Sequence, residues 1–421
     1  MKNEKVLGFL DAFSIGVGGM IGAGIFSILG YSVQMAGSFA YVSFMIAGLV
    51  ALLSAYSYAK LSVRYPSPGG AVDFLIKGFG DGVFSGGLNV LLWSGYVFAI
   101  ALYAKAFGGY ASALFSRDMA LVFSVGIILF FTLINLAGAK VVGRSEIGIV
   151  ALKVLILLFF ALIGLITLDV SRFSSSVPAS NVLFASGLIF ISYEGFGIIA
   201  NTAGDIRNPE RNLPRAFYAS VLFVMIVYVL VCIALIGNLP YEEIVKAKEY
   251  ALAAAARPFL GESGFDVISI AALFSTASAI NATIYGGVNV SYMVARYGQM
   301  PKAFEKQIGG KNVEGILLMS AAVILLVLSF NLDGIAMMGS MVFLVIYGAV
   351  SLAHMRLYRE TGANPTIIFL SVVSCILILS ILIYYEMVNS PFTLKAFLFV
   401  LFYSFLGEWS YRVYSGRRIK V

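Results

Sequence analysis

The chain has 421 residues, of which 60% are hydrophobic and 12% charged, with a mean hydropathy of +0.95. A water-soluble domain carries about a quarter of its residues as charges, so this composition excludes a soluble globular protein and leaves much of the surface facing lipid. The formal net charge of +7 does not mark a nucleic-acid binder, because the basic residues are spread between apolar stretches instead of forming one patch.

In chain order, the segment 12–59 contains no Asp, Glu, Lys or Arg and is long enough for two spans, with a turn at Ala36-Gly37-Ser38. The first apolar run passes into this segment without a polar break and reads as a retained helix, not a cleaved leader. Further apolar stretches follow at 82–104, 119–139, 147–168, 181–204, 216–241, 267–295, 315–332, 334–355, 366–385 and 391–412. These predict an all-α membrane protein with 12 transmembrane helices, the last being the weakest because Lys395 and Glu408 flank a short apolar core. Cys232 and Cys375 fall inside spans and support no disulfide framework. The lone histidine, His354, excludes a multi-histidine metal site.

Lys and Arg in the connections set the orientation. With the N-terminus inside, the inner side holds Lys2, Lys5, Lys60, Arg64, Lys77, Lys140, Arg144, Arg207, Arg211, Arg215, Arg296, Lys302, Lys306, Lys311, Arg356, Arg359, Arg412, Arg417, Arg418 and Lys420. The outer side holds only Lys105, Arg117, Arg172, Lys246, Lys248, Arg257 and Lys395. Both termini are therefore expected in the cytoplasm of a cell with the chain in its plasma membrane. Two connections have helical patterns: 65–80 on the inside, as a short interfacial helix, and the Ala-rich 241–261 outside. The second fits either a lid over an external vestibule or an ordinary surface helix.

The first span contains Gly16-Val17-Gly18-Gly19-Met20-Ile21-Gly22-Ala23-Gly24. A glycine costs about 1 kcal/mol against alanine inside a helix, so a continuous helix is not expected there. The sixth span carries a second weak point, Ser192-Tyr193-Glu194-Gly195-Phe196-Gly197. Interruptions at matching places in two five-span halves point to an inverted-repeat transporter. The bared peptide groups cannot be left to lipid and must line a cavity. The positive N-terminus of a half-helix suits a carboxylate, and free carbonyls suit an ammonium, so one such site fits an α-amino acid zwitterion. Close helix packing through small residues is the competing reading for the first span.

Two ionisable residues lie within spans. Lys153 in the fifth is either functional or reaches along the helix to the inner interface. Glu194 in the sixth either meets a cationic substrate or a proton, or caps the following half-helix. One lysine and one glutamate make no catalytic set, and no GxxxxGK[ST] loop is present, so neither an intramembrane enzyme nor an ATP-driven pump is expected. Phe190, Tyr193, Phe196, Tyr103 and Met341 are candidates for the pocket and its gates.

The runs GVGGMIGAGIF, FISYEGFGIIANTAGDIRNPERNLPRA and FSTASAINATIYGGVNVSYMVARYGQMP closely resemble the amino acid–polyamine–organocation transporters. Among these the chain looks most like prokaryotic and archaeal proton-coupled amino acid permeases with the LeuT-type fold, over about residues 4–404. The resemblance implies a five-plus-five inverted repeat (8–168 and 181–357) with discontinuous helices 1 and 6, followed by two extra helices (364–414). It implies a site in which the backbone N–H groups of Ala23 and Gly24, next to Gly22, meet the substrate carboxylate. Carbonyls of Ile21, Ile191, Ser192 and Glu194 would take the amino group, with Tyr193 beside them. In sodium-coupled relatives an ion lies between spans one and eight, and in a proton-coupled subset a fifth-span lysine takes its place. Lys153, with the carbonyl of Gly18 and the hydroxyl of Ser278, matches that arrangement. The implied function is proton-symport uptake of amino acids by alternating access, with broad neutral specificity favoured by the small glycines. An amino acid or polyamine exchanger and a cationic amino acid carrier are the alternatives. No cofactor or metal is implied, and nothing in the sequence sets an oligomeric state.

Overall fold

The computed structural model describes residues 6–137, 145–174, 177–305 and 312–416. Of the basic residues used for orientation, Lys2, Lys5, Lys140, Arg144, Lys306, Lys311, Arg417, Arg418 and Lys420 lie outside the described residues, as do positions 138 and 139 of the fourth expected span. The secondary structure of the described residues is helical apart from one isolated parallel bridge between Leu7 and Ile206.

The chain opens with α1 (Phe9–Met20) and α2 (Ala23–Ala36), then α3 (Ala40–Arg64), a short α4 (Ala71–Phe79) and the long α5 (Val83–Leu114). α6 (Ala120–Ala137), α7 (Ser145–Ile166) and α8 (Ala179–Ile189) follow. α8 runs into a 3-10 segment, Phe190–Gly197, and on into α9 (Ile198–Asn201). Next come α10 (Pro209–Asn238), the small α11 (Tyr241–Ala247) and α12 (Ala251–Ala254), and α13 (Arg257–Arg296). α14 (Val313–Ser329), α15 (Leu332–Thr361), α16 (Pro365–Asn389) and α17 (Pro391–Ser415) complete the chain. Among the described residues, ten stretches are long and apolar enough to cross a membrane, and the first of them, Gly24–Arg64, covers both α2 and α3. Two shorter apolar helices, Phe9–Met20 and Val313–Ser329, add to these.

Local chemistry sets the helix ends. α10, α16 and α17 each begin with proline, whose missing N–H and fixed φ suit the first helical turn. Asn312 and Asn364 cap α14 and α16 by accepting from the N–H groups of Gly315 and Thr366. Gly261, at φ 66°, puts a kink in the first turns of α13.

Burial sorts the helices into centre and rim. The most apolar windows of α5 and α15 are 72% and 78% buried, those of α6 and α17 only 17% and 22%. α5 and α15 therefore form the inner scaffold. α6 and α17 present Leu129, Leu133, Phe399 and Phe402 outward, which water would not tolerate and hydrocarbon does. α1, α7, α10 and the 3-10 segment pack together at the centre. The bridge at Leu7 ties the strand before α1 to the segment before α10, through Leu7 N–H to Asp205 O at 3.1 Å and Arg207 N–H to Leu7 O at 2.8 Å. At the same end of the molecule, Asp73 of α4 accepts hydroxyls from Ser67 and from Tyr297, just beyond α13.

The 241–261 connection folds as α11, a 3-10 turn (Lys248–Tyr250) and α12. It lies directly on α2: a Cβ on Gly30 would fall 2.2 Å from the carbonyl oxygen of Lys248, so only glycine permits the approach. Tyr241 adds a hydrogen bond to Gln34 O at 3.1 Å. The segment is a lid over the far end of α2 and not a free surface helix.

Candidate functional site

The first span stops at Met20 and restarts at Ala23. Ile21 (φ −79°, ψ 65°) and Gly22 (φ −103°, ψ −124°) leave the helical region between them. In an unbroken helix the Gly18 carbonyl would accept the Gly22 N–H. Here that N–H turns back to Met20 O at 2.8 Å, and the Gly18 carbonyl is released. Lys153 of α7 takes it: Nζ donates to Gly18 O at 2.9 Å. Only 4% of Lys153 is exposed, so its side chain points into the protein and does not reach along α7 to an interface.

Three more carbonyls at the break are met by protein side chains. Tyr228 donates to Met20 O at 2.6 Å, and Ser275 reaches Ile21 O at 3.2 Å and Gly22 O at 3.3 Å. Bare peptide groups at this depth have no lipid partner, and these hydroxyls supply one.

The sixth span is interrupted differently. Its α-helical ladder gives way to the 3-10 segment Phe190–Gly197, which keeps helical turns but tightens them. It is a compressed stretch where the sequence pattern suggested an opened one. Its carbonyls are likewise occupied: Tyr228 lies 3.3 Å from Ser192 O, and Tyr347 donates to Glu194 O. The Ile191 N–H donates to Ser340 Oγ at 3.0 Å. The Glu194 carboxylate accepts the Tyr103 hydroxyl at 3.0 Å. Tyr103 is also the ring beside Gly22, 3.6 Å from where a Cβ would stand there, so it bridges the two interruptions.

A cavity of about 580 Å³ leads to this region from the end of the molecule that carries Arg296, and that size suits a small-molecule ligand. Gly18, Lys153 and Ser278 all line it, together with Tyr96, Asn201 and Thr283. A second, small cavity against Glu194 shares Tyr96, Asn201 and Val290 with the first. The lid covers the opposite end, where Tyr110 also donates to Phe26 O at 2.7 Å.

The structure thus brings the three expected coupling residues onto one cavity wall. The expected substrate residues Ile21, Gly22, Gly24, Ile191, Ser192, Tyr193 and Glu194 are buried, with the backbone of Ala23 beside them, and none of them lines this cavity; Glu194 lines the small one next to it. The two spans touch there: a Cβ on Gly24 would lie 2.6 Å from Ser192 Cβ. Of the gate candidates, Phe196 and Phe190 pack on Tyr347 with ring centroids 4.9 and 5.8 Å apart. Met341 is fully buried in α15, and Tyr193 donates to Phe44 O at 2.9 Å. The sequence reading missed Tyr228, Tyr347 and Ser275. Ser275 sits one turn before Ser278 and was within reach of that pattern. The two tyrosines looked like any others in an apolar span.

Broken and compressed helices packed on each other inside a bundle of apolar helices, with a cavity reaching them from one end, define a multi-pass membrane transport protein. The amino acid permease family model matches residues 11–406. An uncharacterised protein of Methanocaldococcus jannaschii is 43% identical over 99% of this chain and 97% of its own length. The inner membrane transport protein YbaT of Escherichia coli is 34% identical over 91% of each chain, and the branched-chain amino acid permease BcaP of Lactococcus lactis is 26% identical over 86% and 83%. The chain belongs to the amino acid permease family. A mutant manganese transporter from Eremococcus coleocola, at 13% identity, shares its fold with a TM-score of 0.61 over 96% of this chain and 94% of that one.

Proposed function

We propose that this protein carries neutral α-amino acids into the cell by proton symport, through alternating access across a five-plus-five inverted repeat of twelve spans. The observation that carries the reading is the contact from Lys153 Nζ to the Gly18 carbonyl, buried and on the wall of the cavity. A cation bound between spans one and eight needs a carbonyl and a hydroxyl. An ammonium beside Gly18 O and the Ser278 hydroxyl uses the same groups as a donor. Loss of its proton to the cavity would release the carbonyl and let the first span move. This makes the proton, not a metal ion, the coupling particle.

With the N-terminus inside, as the basic residues favour, the cavity faces the cytoplasm and the lid faces out, an inward-open arrangement. The substrate would meet the N–H groups of Ala23 and Gly24 with its carboxylate. Its ammonium would compete with Ser275, Tyr228 and Tyr347 for the carbonyls of Ile21, Ser192 and Glu194. Glu194 is engaged by Tyr103 and lies against a small cavity, which favours a structural role over recognition of a cationic side chain.

The test is uptake of radiolabelled amino acids into proteoliposomes with and without an imposed inward proton gradient. Uptake that is stimulated by the gradient supports symport. Uptake that requires a loaded internal amino acid and ignores the gradient makes the protein an exchanger.

A further inference from the structure

At the end of the molecule opposite the Arg296 cavity, a separate cavity of about 580 Å³ lies between α2, α8, α15, α16 and α17. Its walls include Asp333, Glu386, Tyr31, Phe184, Tyr385 and Thr393. None of these residues lines the central cavity. We propose that it is a binding site for a small water-borne organic ammonium ion.

Two carboxylates face this space, and neither has a lysine or arginine partner among the described residues. Asp333 is exposed and gives the cavity a negative mouth. Glu386 is deeper, with 2% of its surface exposed, and its Oε2 has no hydrogen-bond partner. A buried carboxylate oxygen left without a donor is costly unless a ligand supplies one. Thr393 is near enough to donate to this carboxylate, but its hydroxyl is also shared with Ser390 at 2.7 Å.

The rest of the wall selects among cations. Among the described residues no three His, Cys, Asp or Glu side chains come together in a way that would hold a metal ion. The space is also far larger than a bare ion needs, and within the range for a small organic ligand. Phe184 and Tyr385 lie with ring centroids 4.9 Å apart on one wall, and Tyr31 stands on α2. Aromatic faces beside carboxylates hold an alkylammonium through both its charge and its carbon chain.

The site can be read without reference to transport. Asn389 is exposed at the rim, while the native Cys232 and Cys375 are buried. In the full-length protein in detergent, Asn389→Cys is labelled with the uncharged reagent N-ethylmaleimide, with putrescine as the probe. Putrescine is expected to slow labelling saturably, and Glu386→Gln and Asp333→Asn each to raise the half-protecting concentration about tenfold or more, the scale of one lost charge-assisted hydrogen bond. Potassium chloride at the same ionic strength should not protect. Absence of protection, equal protection by potassium, or unchanged protection in both carboxylate variants would overturn the proposal. Should Glu386→Gln fail to fold, exposed Asp333 carries the test alone.

Discussion

Gly195 of the sixth span lies so close to Gly19 of the first that a Cβ on Gly195 would fall 2.1 Å from the Gly19 carbonyl carbon. The atom in the way is backbone, which cannot swing aside as a flexible side chain can. Gly195→Ala is therefore expected to push the two spans apart, at about 1–3 kcal/mol for overpacking. The expected result is a lower melting temperature in detergent and severe loss of uptake. Gly204→Ala, with open space around its Cβ position, is the control that should change neither. Parent-like melting in Gly195→Ala would mean that the contact is not close in solution.

Lys153→Ala should separate binding from coupling. Removing the ammonium leaves the Gly18 carbonyl buried without its donor, a cost of about 1–3 kcal/mol. Uptake driven by a proton gradient is expected to vanish while equilibrium binding of amino acid stays measurable. Uptake in this variant that still follows the gradient as in the parent protein would remove Lys153 from the coupling step.

Glu194→Gln keeps a side-chain oxygen for the Tyr103 hydroxyl. If the carboxylate serves structure, neutral amino acid uptake should persist in this variant, whereas Tyr103→Phe should weaken it by removing the link between the two interruptions. A change of preference between neutral and cationic amino acids in Glu194→Gln, measured by competition, would instead make Glu194 a specificity residue.

The lid should respond to pH through Glu249. Burial pushes its carboxyl above the usual carboxylate range; Asp333 adds to the shift, and Lys105, Tyr31 and Lys248 oppose it. A raised value in the closed lid means that closure binds the proton more tightly than opening does. Closure is therefore favoured below that value and loses this contribution as pH rises through it. Amide exchange across residues 241–256 should be slower at about pH 5 than at about pH 8 after correction for intrinsic rates. Glu249→Gln should remove the difference.

Much of the fold was legible because lipid is a strict solvent. Each span had to appear as an unbroken apolar run, and each interior glycine cluster had to cost helix stability. The stretches 16–24 and 192–197 stood out on those grounds, and so did Lys153 as a charge where none belongs. The form of each interruption was less accessible. The first opens at Ile21 and Gly22, but the second tightens into 3-10 turns, because Tyr228, Tyr347 and Ser340 hold its backbone from three sides. Those partners lie 36 to 153 positions away in the chain, beyond any local pattern.

By itself the sequence determined that this chain lives in a membrane, where its helices run and which two of them cannot wind through undisturbed. All three follow from transfer cost and backbone propensity, which are properties of short segments. Only the tertiary structure decided that Lys153 meets Gly18, that carbonyls at both interruptions are held by hydroxyls, and that Asp333 and Glu386 share a cavity at the far end. Such contacts depend on how each helix is rotated against its neighbours. Side chains from distant spans set that rotation together, and no single stretch of residues encodes it.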